Sequence, residues 1–314
     1  MNFFDLRAIP KLWNSFFHER TETWSSGVLR IGLGIILLIN VTVFSADALL
    51  WYSNSGALSY QESRLVVHPD TTTLFSWFDN TPGKVAAYFC LLFLTVILFT
   101  VGLYARVQAV IIFLLLASLH HRNPLMMEGE DVMMRLLSFY CIFLPLDHNF
   151  SVRSWWRKRR QQQPFTQETP IWPLRLIQFQ ITLLWVSTSG MKLHGPDWID
   201  GTAMYYVSRL DDVFVGGLFP DPLLNSLAFL RFLTWGVLAF ETLLPLGLWI
   251  KQTRKWFLYA AVLFHLAIDF NMNLFLFHWI MIVALVAFLQ RDDLPPKIRQ
   301  FLPAGSSENG NSAS

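Results

Sequence analysis

Leu29–Asn40 reads LRIGLGIILLIN, with one charge at its head, one amide at its end, and between them only glycine, leucine and isoleucine. The apolar run that contains it extends from about Ser26 to Leu50. At 1.5 Å per residue, that is enough helix to cross a hydrocarbon layer of about 30 Å. The same signal recurs at Val85–Tyr104, Val107–Leu119, Val132–Leu146, Trp172–Met191, Leu227–Ile250, Trp256–Phe270 and Leu274–Leu289, the third, fourth and seventh runs of the series being short. The pattern predicts an all-α, polytopic transmembrane helical bundle of about eight spans. Composition agrees, since 54% hydrophobic, 16% aromatic and only 15% charged residues suit a chain whose solvent is lipid. A net charge of +2 offers no basic face for nucleic acid. Cys90 and Cys141 both lie inside apolar runs, which argues against a disulfide framework and against thiolate metal ligation.

Loop charge sets the expected orientation. With the N-terminus inside, Arg7, Lys11, Arg20, Arg106, the run RSWWRKRR from Arg153 to Arg160, Lys251, Arg254, Lys255, Arg291, Lys297 and Arg299 all fall on the cytoplasmic side. The outer loops keep only Arg64, Lys84, Arg122, Lys192 and Arg209. This is the positive-inside asymmetry, and it puts both termini in the cytoplasm of a multi-pass protein of the plasma (inner) membrane. Three parts are expected: an N-terminal interfacial segment over 1–25, a transmembrane domain over 26–290, and a disordered cytoplasmic tail over 291–314. The long outer loop between the first two spans is expected to cap the bundle.

Ionisable residues inside lipid mark function or pairing. Arg30 stands near enough to the cytoplasmic interface to snorkel there. Glu241 is mid-span and short, so it must be protonated or paired, and Pro245 one turn later frees its carbonyl. His265 and Asp269 share a helix face, followed by Asn271, Asn273 and His278; they line a polar cavity or form a solvated outer turn. LHHRNPLMMEGEDVMMR, Leu119–Arg135, is expected to be a solvated outer loop, with a polar wall over an outer cavity as the other reading. Its adjacent histidines diverge by about 100° on a helix, and its acidic trio lacks the alternating ligands of a calcium loop, so no metal site is expected.

Lys192 ends the fifth run, after Ser187, Thr188, Ser189 and Gly190, small residues that allow close helix packing. A lysine sheltered from water can serve as a general base near neutral pH. A lysine at the headgroups beside an anchoring Trp198 is the alternative reading.

SGMKLHGPDWIDGTAMYYVS, Ser189–Ser208, resembles the segment of the vitamin K-dependent gamma-carboxylase family, the HTTM (horizontally transferred transmembrane) domain, in which a Lys-Leu pair, Asp-Trp and Gly precede a Tyr-rich helix. LRIGLGIILLIN resembles that family's first span, His120–Val152 its Arg-Asn loop and following helix, and FETLLPLGLWIKQTRKW, Phe240–Trp256, its Glu-Pro helix. The resemblance implies one of two functions. The first is a lyase-like enzyme using reduced vitamin K, a menaquinol-like quinol, with O2 and CO2 for carboxylase- or oxygenase-like chemistry at an outward-facing cavity. Lys192 would then be the base, with His194 and Glu241 as the other catalytic residues. Arg122, Asn123, Asp197, Trp198, Tyr205, His265 and Asn273 would hold substrate or cofactor. The second is a non-catalytic membrane protein that binds lipid or quinone, or assists maturation or export of a peptide or protein partner. One extra residue separates the Lys-Leu pair from Asp197 and Trp198, compared with the animal enzyme.

Overall fold

The computed structural model describes residues 9–68 and 70–303. In chain order the elements begin with α1 (Ile9–His18), β1 (Arg20–Glu22), α2 (Trp24–Ala46), α3 (Ala48–Tyr52) and α4 (Tyr60–Val66). Then come α5 (Pro82–Val101), α6 (Ala105–Arg122), α7 (Gly129–Cys141), α8 (Val152–Arg159), β2 (Glu168–Pro170) and α9 (Trp172–His194). The rest are α10 (Pro196–Ile199), α11 (Ala203–Val207), α12 (Asp221–Leu224), α13 (Leu227–Trp249), α14 (Lys251–Asn271), α15 (Phe277–Leu285) and α16 (Pro296–Arg299). Each of the eight apolar runs coincides with a helix: α2, α5, α6, α7, α9, α13, α14 and α15.

Among the described residues, three of these helices, α2, α5 and α13, are long and apolar enough to cross a membrane. The others fall short for two physical reasons. α7 has 13 residues and α15 only nine, so α7 would span roughly 20 Å of a layer about 30 Å thick. α6, α9 and α14 have the length but carry His120, His121 and Arg122, Arg175 and Lys192, or Arg254, His265 and Asp269.

The chain divides into two compact units, one formed by residues up to Leu174 together with those from Gln300, the other by Arg175–Arg299. In the first unit α2 buries Leu29, Leu33, Leu37 and Val41, and leaves Ile35, Ile39 and Val43 exposed at a spacing of four. An apolar stripe facing outward is what lipid, rather than water, selects. Gly34 lets α2 and α5 approach closely, because a Cβ there would sit 2.3 Å from Thr100 Oγ1.

Three expectations are corrected in this unit. Arg30 does not snorkel: it is fully buried, and its guanidinium donates to the carbonyls of Leu146 (2.6 Å) and Phe150 (2.5 Å). Those carbonyls follow the end of α7, where no helical N–H remains to satisfy them. The segment around 120–131 is not a solvated loop either, since His120, Arg122, Asn123, Glu130 and Asp131 are all buried. The chain between α2 and α5 closes over them. Arg122 donates to Leu58 O (2.7 Å), and Asp131 accepts from Asn40 Nδ2 (3.2 Å) and from Glu128 N–H (2.9 Å). Glu168–Pro170, the end of the stretch QQQPFTQETP (Gln161–Pro170) whose sequence reads as a cytoplasmic linker, is a strand, pairing antiparallel with β1 so that Arg20 faces Pro170 and Glu22 faces Glu168.

The second unit holds most of α9 with α10 to α16. Trp249 Nε1 donates to Thr182 Oγ1 (2.8 Å) and Gln178 Nε2 to Ala287 O (2.7 Å), tying α9 to α13 and to the turn after α15. The helix α13 continues through Pro245. The expected tail at 291–314 is ordered at its start: Asp293 is buried in a salt bridge with Arg254 of α14 (3.0 Å), and Tyr259 donates to its carbonyl (2.9 Å). Residues from 304 of that tail, and Asp5 and Arg7 of the interfacial segment, lie outside the described residues.

Candidate functional site

The Gly-Pro pair after Lys192 and His194 is what shapes the site. Pro196 has no N–H to extend the ladder of α9, and Gly195 N–H closes on Lys192 O (3.0 Å), so α9 stops here. Trp198 N–H then returns to Gly195 O (3.1 Å), which brings the indole over the lysine, its ring centroid 4.7 Å from Nζ. Gly201, at φ +84°, completes the turn in a conformation that L side chains rarely adopt, and a Cβ there would press on Trp235 at 3.0 Å. Trp235 Nε1 donates to Ile199 O (3.3 Å) and Met204 N–H to Thr234 Oγ1 (3.1 Å), so the whole turn is docked on α13.

Docking on α13 aligns Lys192 with Glu241. The Lys192 ammonium donates directly to Glu241 Oε2, with side-chain exposures of 23% and 8%. Inside a helical bundle an ion pair of this kind answers each charge with its partner. The acid–base unit is therefore the pair rather than a solitary amine. The two side chains line a cavity of about 140 Å³ with Trp185 and Thr188 of α9, Phe264 and His265 of α14, and Phe277 and His278 of α15. His265 and His278 are buried and meet Nδ1 to Nδ1 at 3.0 Å, and the Trp185 ring lies 5.5 Å from that of His265. Four buried polar atoms in this neighbourhood, Trp185 Nε1, Ser189 Oγ and Nε2 of both histidines, have no hydrogen-bond partner among the described residues.

A second cavity of about 160 Å³ shares Phe264 and Ile268 with the first. Its lining is almost wholly apolar, drawn from Met204, Phe214, Phe219, Leu230, Leu233 and their neighbours. The two therefore stand side by side across α14, one polar at its head and one greasy.

The structure brings together Lys192, Glu241, Trp198 and His265 of the expected residues, and leaves the others elsewhere. His194 is exposed and its Nδ1 pairs with Gly190 O of its own helix (2.7 Å). Asp197 is exposed, and its carbonyl accepts from Thr202 N–H (2.8 Å). Tyr205 carries Arg209 over its ring at 3.7 Å, and exposed Asn273 uses its N–H on Val213 O (2.7 Å). Arg122 and Asn123 belong to the first unit, where Asn123 Oδ1 accepts from Leu125 N–H (3.2 Å). His278, which the sequence offers as part of a cluster lining a polar cavity or forming an outer turn, stands in the cavity wall, and Trp185 and Thr188 join the site without having been expected there.

With this geometry in place, the family can be read from comparison. The profile of the HTTM domain matches residues 18–292. The chain belongs to the HTTM domain family. It is also 28% identical over 176 residues to the sporulation-delaying protein SdpB of Bacillus subtilis (strain 168). That alignment covers 53% of each protein, so the chain spans about half the length of the curated relative it matches. No solved structure matches. The HTTM match takes in every helix from α2 to α15, and so contains the Lys192–Glu241 pair and both cavities.

Proposed function

We propose that this HTTM-domain protein is a membrane-embedded acid–base catalyst acting on a quinol-type substrate, with carboxylase- or oxygenase-like chemistry, in a cavity open toward the extracytoplasmic side. The observation that carries the reading is the Lys192–Glu241 pair on the wall of a cavity that adjoins an apolar one. The residues fit an amphipathic quinol. Its hydroxyls would find donors and acceptors among Lys192, Glu241 and the unpartnered atoms of Trp185, His265 and His278, and its apolar chain would enter the space beyond Phe264 and Ile268. Each cavity alone is about half of the ~300 Å³ at which small-molecule pockets begin, which suits a ligand that divides itself between the two.

When bound, a reduced quinone with O2 would supply the strong base that precedes CO2 addition. The protein's part is proton handling. Passing an ammonium proton to Glu241 leaves the Lys192 amine free to take a hydroxyl proton, while Trp198 over Nζ keeps the amine aimed and covered. The apolar lining keeps water from competing for that proton.

The test is turnover of reduced menaquinone by purified protein in lipid nanodiscs under air and bicarbonate, read as quinone epoxide by chromatography. Lys192→Ala and Glu241→Gln are expected to lose about 100-fold or more, as removal of a general base does. Turnover by Lys192→Ala equal to the unaltered protein excludes the reading.

A second reading, a non-catalytic membrane protein that binds lipid or quinone or assists a partner protein, is favoured by the similarity to SdpB, whose name describes delay of sporulation and no reaction. It expects no epoxide above background and no effect of either substitution on lipid or partner binding.

A further inference from the structure

Two imidazole nitrogens held 3.0 Å apart cannot both be bare, because their lone pairs repel, and cannot both carry hydrogen, because the hydrogens collide. One hydrogen must lie between Nδ1 of His265 and Nδ1 of His278. In the neutral pair the two rings are therefore opposite tautomers. The ring that holds the Nδ1 hydrogen has a bare Nε2, and the other has an Nε2–H. Both Nε2 atoms are buried and have no partner among the described residues, although both rings line the Lys192 cavity.

We propose that His265 and His278 form a two-ring proton relay that exchanges protons with the Lys192–Glu241 pair. In one step a proton binds the bare Nε2 of the first ring, the Nδ1 hydrogen of that ring crosses to Nδ1 of the second, and the second ring releases its Nε2 hydrogen. One N–H bond forms at each of two nitrogens as one breaks at each of two others, so the pair ends neutral and mirrored. The charged groups that face it are Lys192 from α9, Glu241 from α13 and Asp269, one turn beyond His265 on α14 and near enough to act electrostatically on His278. Asp269 is half-buried, while His265 is enclosed, so the relay runs between the cavity and a more open end of α14. A purely structural pair, pinning α14 to α15, would need the Nδ1 contact but no link to Glu241.

The inference deepens the acid–base reading and rests on it for the proton's destination. Its test needs no turnover. Full-length protein labelled with ¹⁵N-histidine is placed in lipid bilayers and studied by solid-state NMR, the two rings being assigned from His278→Asn. The expected spectrum has opposite tautomers coupled through one N–H···N bond, with both arrangements populated. Glu241→Gln, or Lys192→Met should the first variant fail to fold, is expected to change the ratio of the two arrangements at least twofold, in opposite senses in the two rings. The same tautomer in both rings, or a ratio that neither substitution moves, overturns the relay. Coupled tautomers in a protein without quinol turnover would leave the relay standing and bring down the quinol reading alone.

Discussion

Glu241 has too short a side chain to reach an interface from the middle of α13, so its partner has to be brought to it. The turn after α9 does this, and the cost of leaving either charge alone sets a measurable scale. Glu241→Ala strands a largely enclosed ammonium and is expected to destabilise the fold by about 3 kcal/mol, while Glu241→Leu combined with Lys192→Met costs much less than the two single changes added together. Thermal unfolding in detergent micelles around this double-mutant cycle measures the coupling; an additive result denies the pair. Each of these residues was legible in the sequence as anomalous, but their pairing across 49 positions was not, because nothing local fixes which faces of α9 and α13 meet. His194 was expected in the site through nearness in sequence. Two residues along a helix turn a side chain by about 200°, however, and it points away from the face that Lys192 presents. His278 was legible as a member of a polar cluster, but its contact with His265 was not, because the two are 13 residues apart across a turn whose path the sequence does not give.

Helices were the most legible elements, since apolar runs report them whatever surrounds them. Their role as membrane spans is less directly encoded, because length, charge content and packing all enter. α7 and α15 are apolar yet short, and their burial among neighbours accounts for their composition as well as lipid does. The least legible elements were the short ones between α2 and α5, read only as a loop that caps the bundle. There α4 begins with a reciprocal cap: Ser59 Oγ accepts from Glu62 N–H (3.3 Å) and Glu62 Oε2 accepts from Ser59 N–H (2.8 Å). The bonds from Ser59, side chain first and backbone second, hold the Glu62 carboxyl below its usual value of 4.5. A lowered folded-state value means that the cap's contribution is complete above the usual value and fades as pH falls through the lowered one. Amide exchange at Ser59 and Glu62 is expected to quicken as pH falls below 4.5, beyond the intrinsic trend, and Glu62→Gln is expected to remove that dependence.

On the scale of the whole chain, a lipid-facing composition, outward apolar stripes and the HTTM family assignment agree on a membrane protein. The side on which each loop is expected to lie rests on charge alone, and it is the premise of the proposed outward-facing site. In a background with Cys90 and Cys141 replaced by alanine, a cysteine at Lys158 is expected to react with an impermeant maleimide only after the membrane is opened, and one at Ser76 in intact cells. The reverse pattern would place the Lys192 cavity toward the cytosol. Of the architecture at this scale, the pairing of Arg20–Glu22 with Glu168–Pro170 could not be foreseen, because strands of three residues carry no periodicity to read. The ladder, with Thr23 N–H on Gln167 O (2.9 Å) continuing it, also constrains the order of events in biosynthesis. A ribosome has to deliver the chain as far as Pro170 before Arg20–Glu22 can find its mate, so α2 and α5 to α7 must wait with that seam unstitched, and the first unit is closed only as α9 emerges.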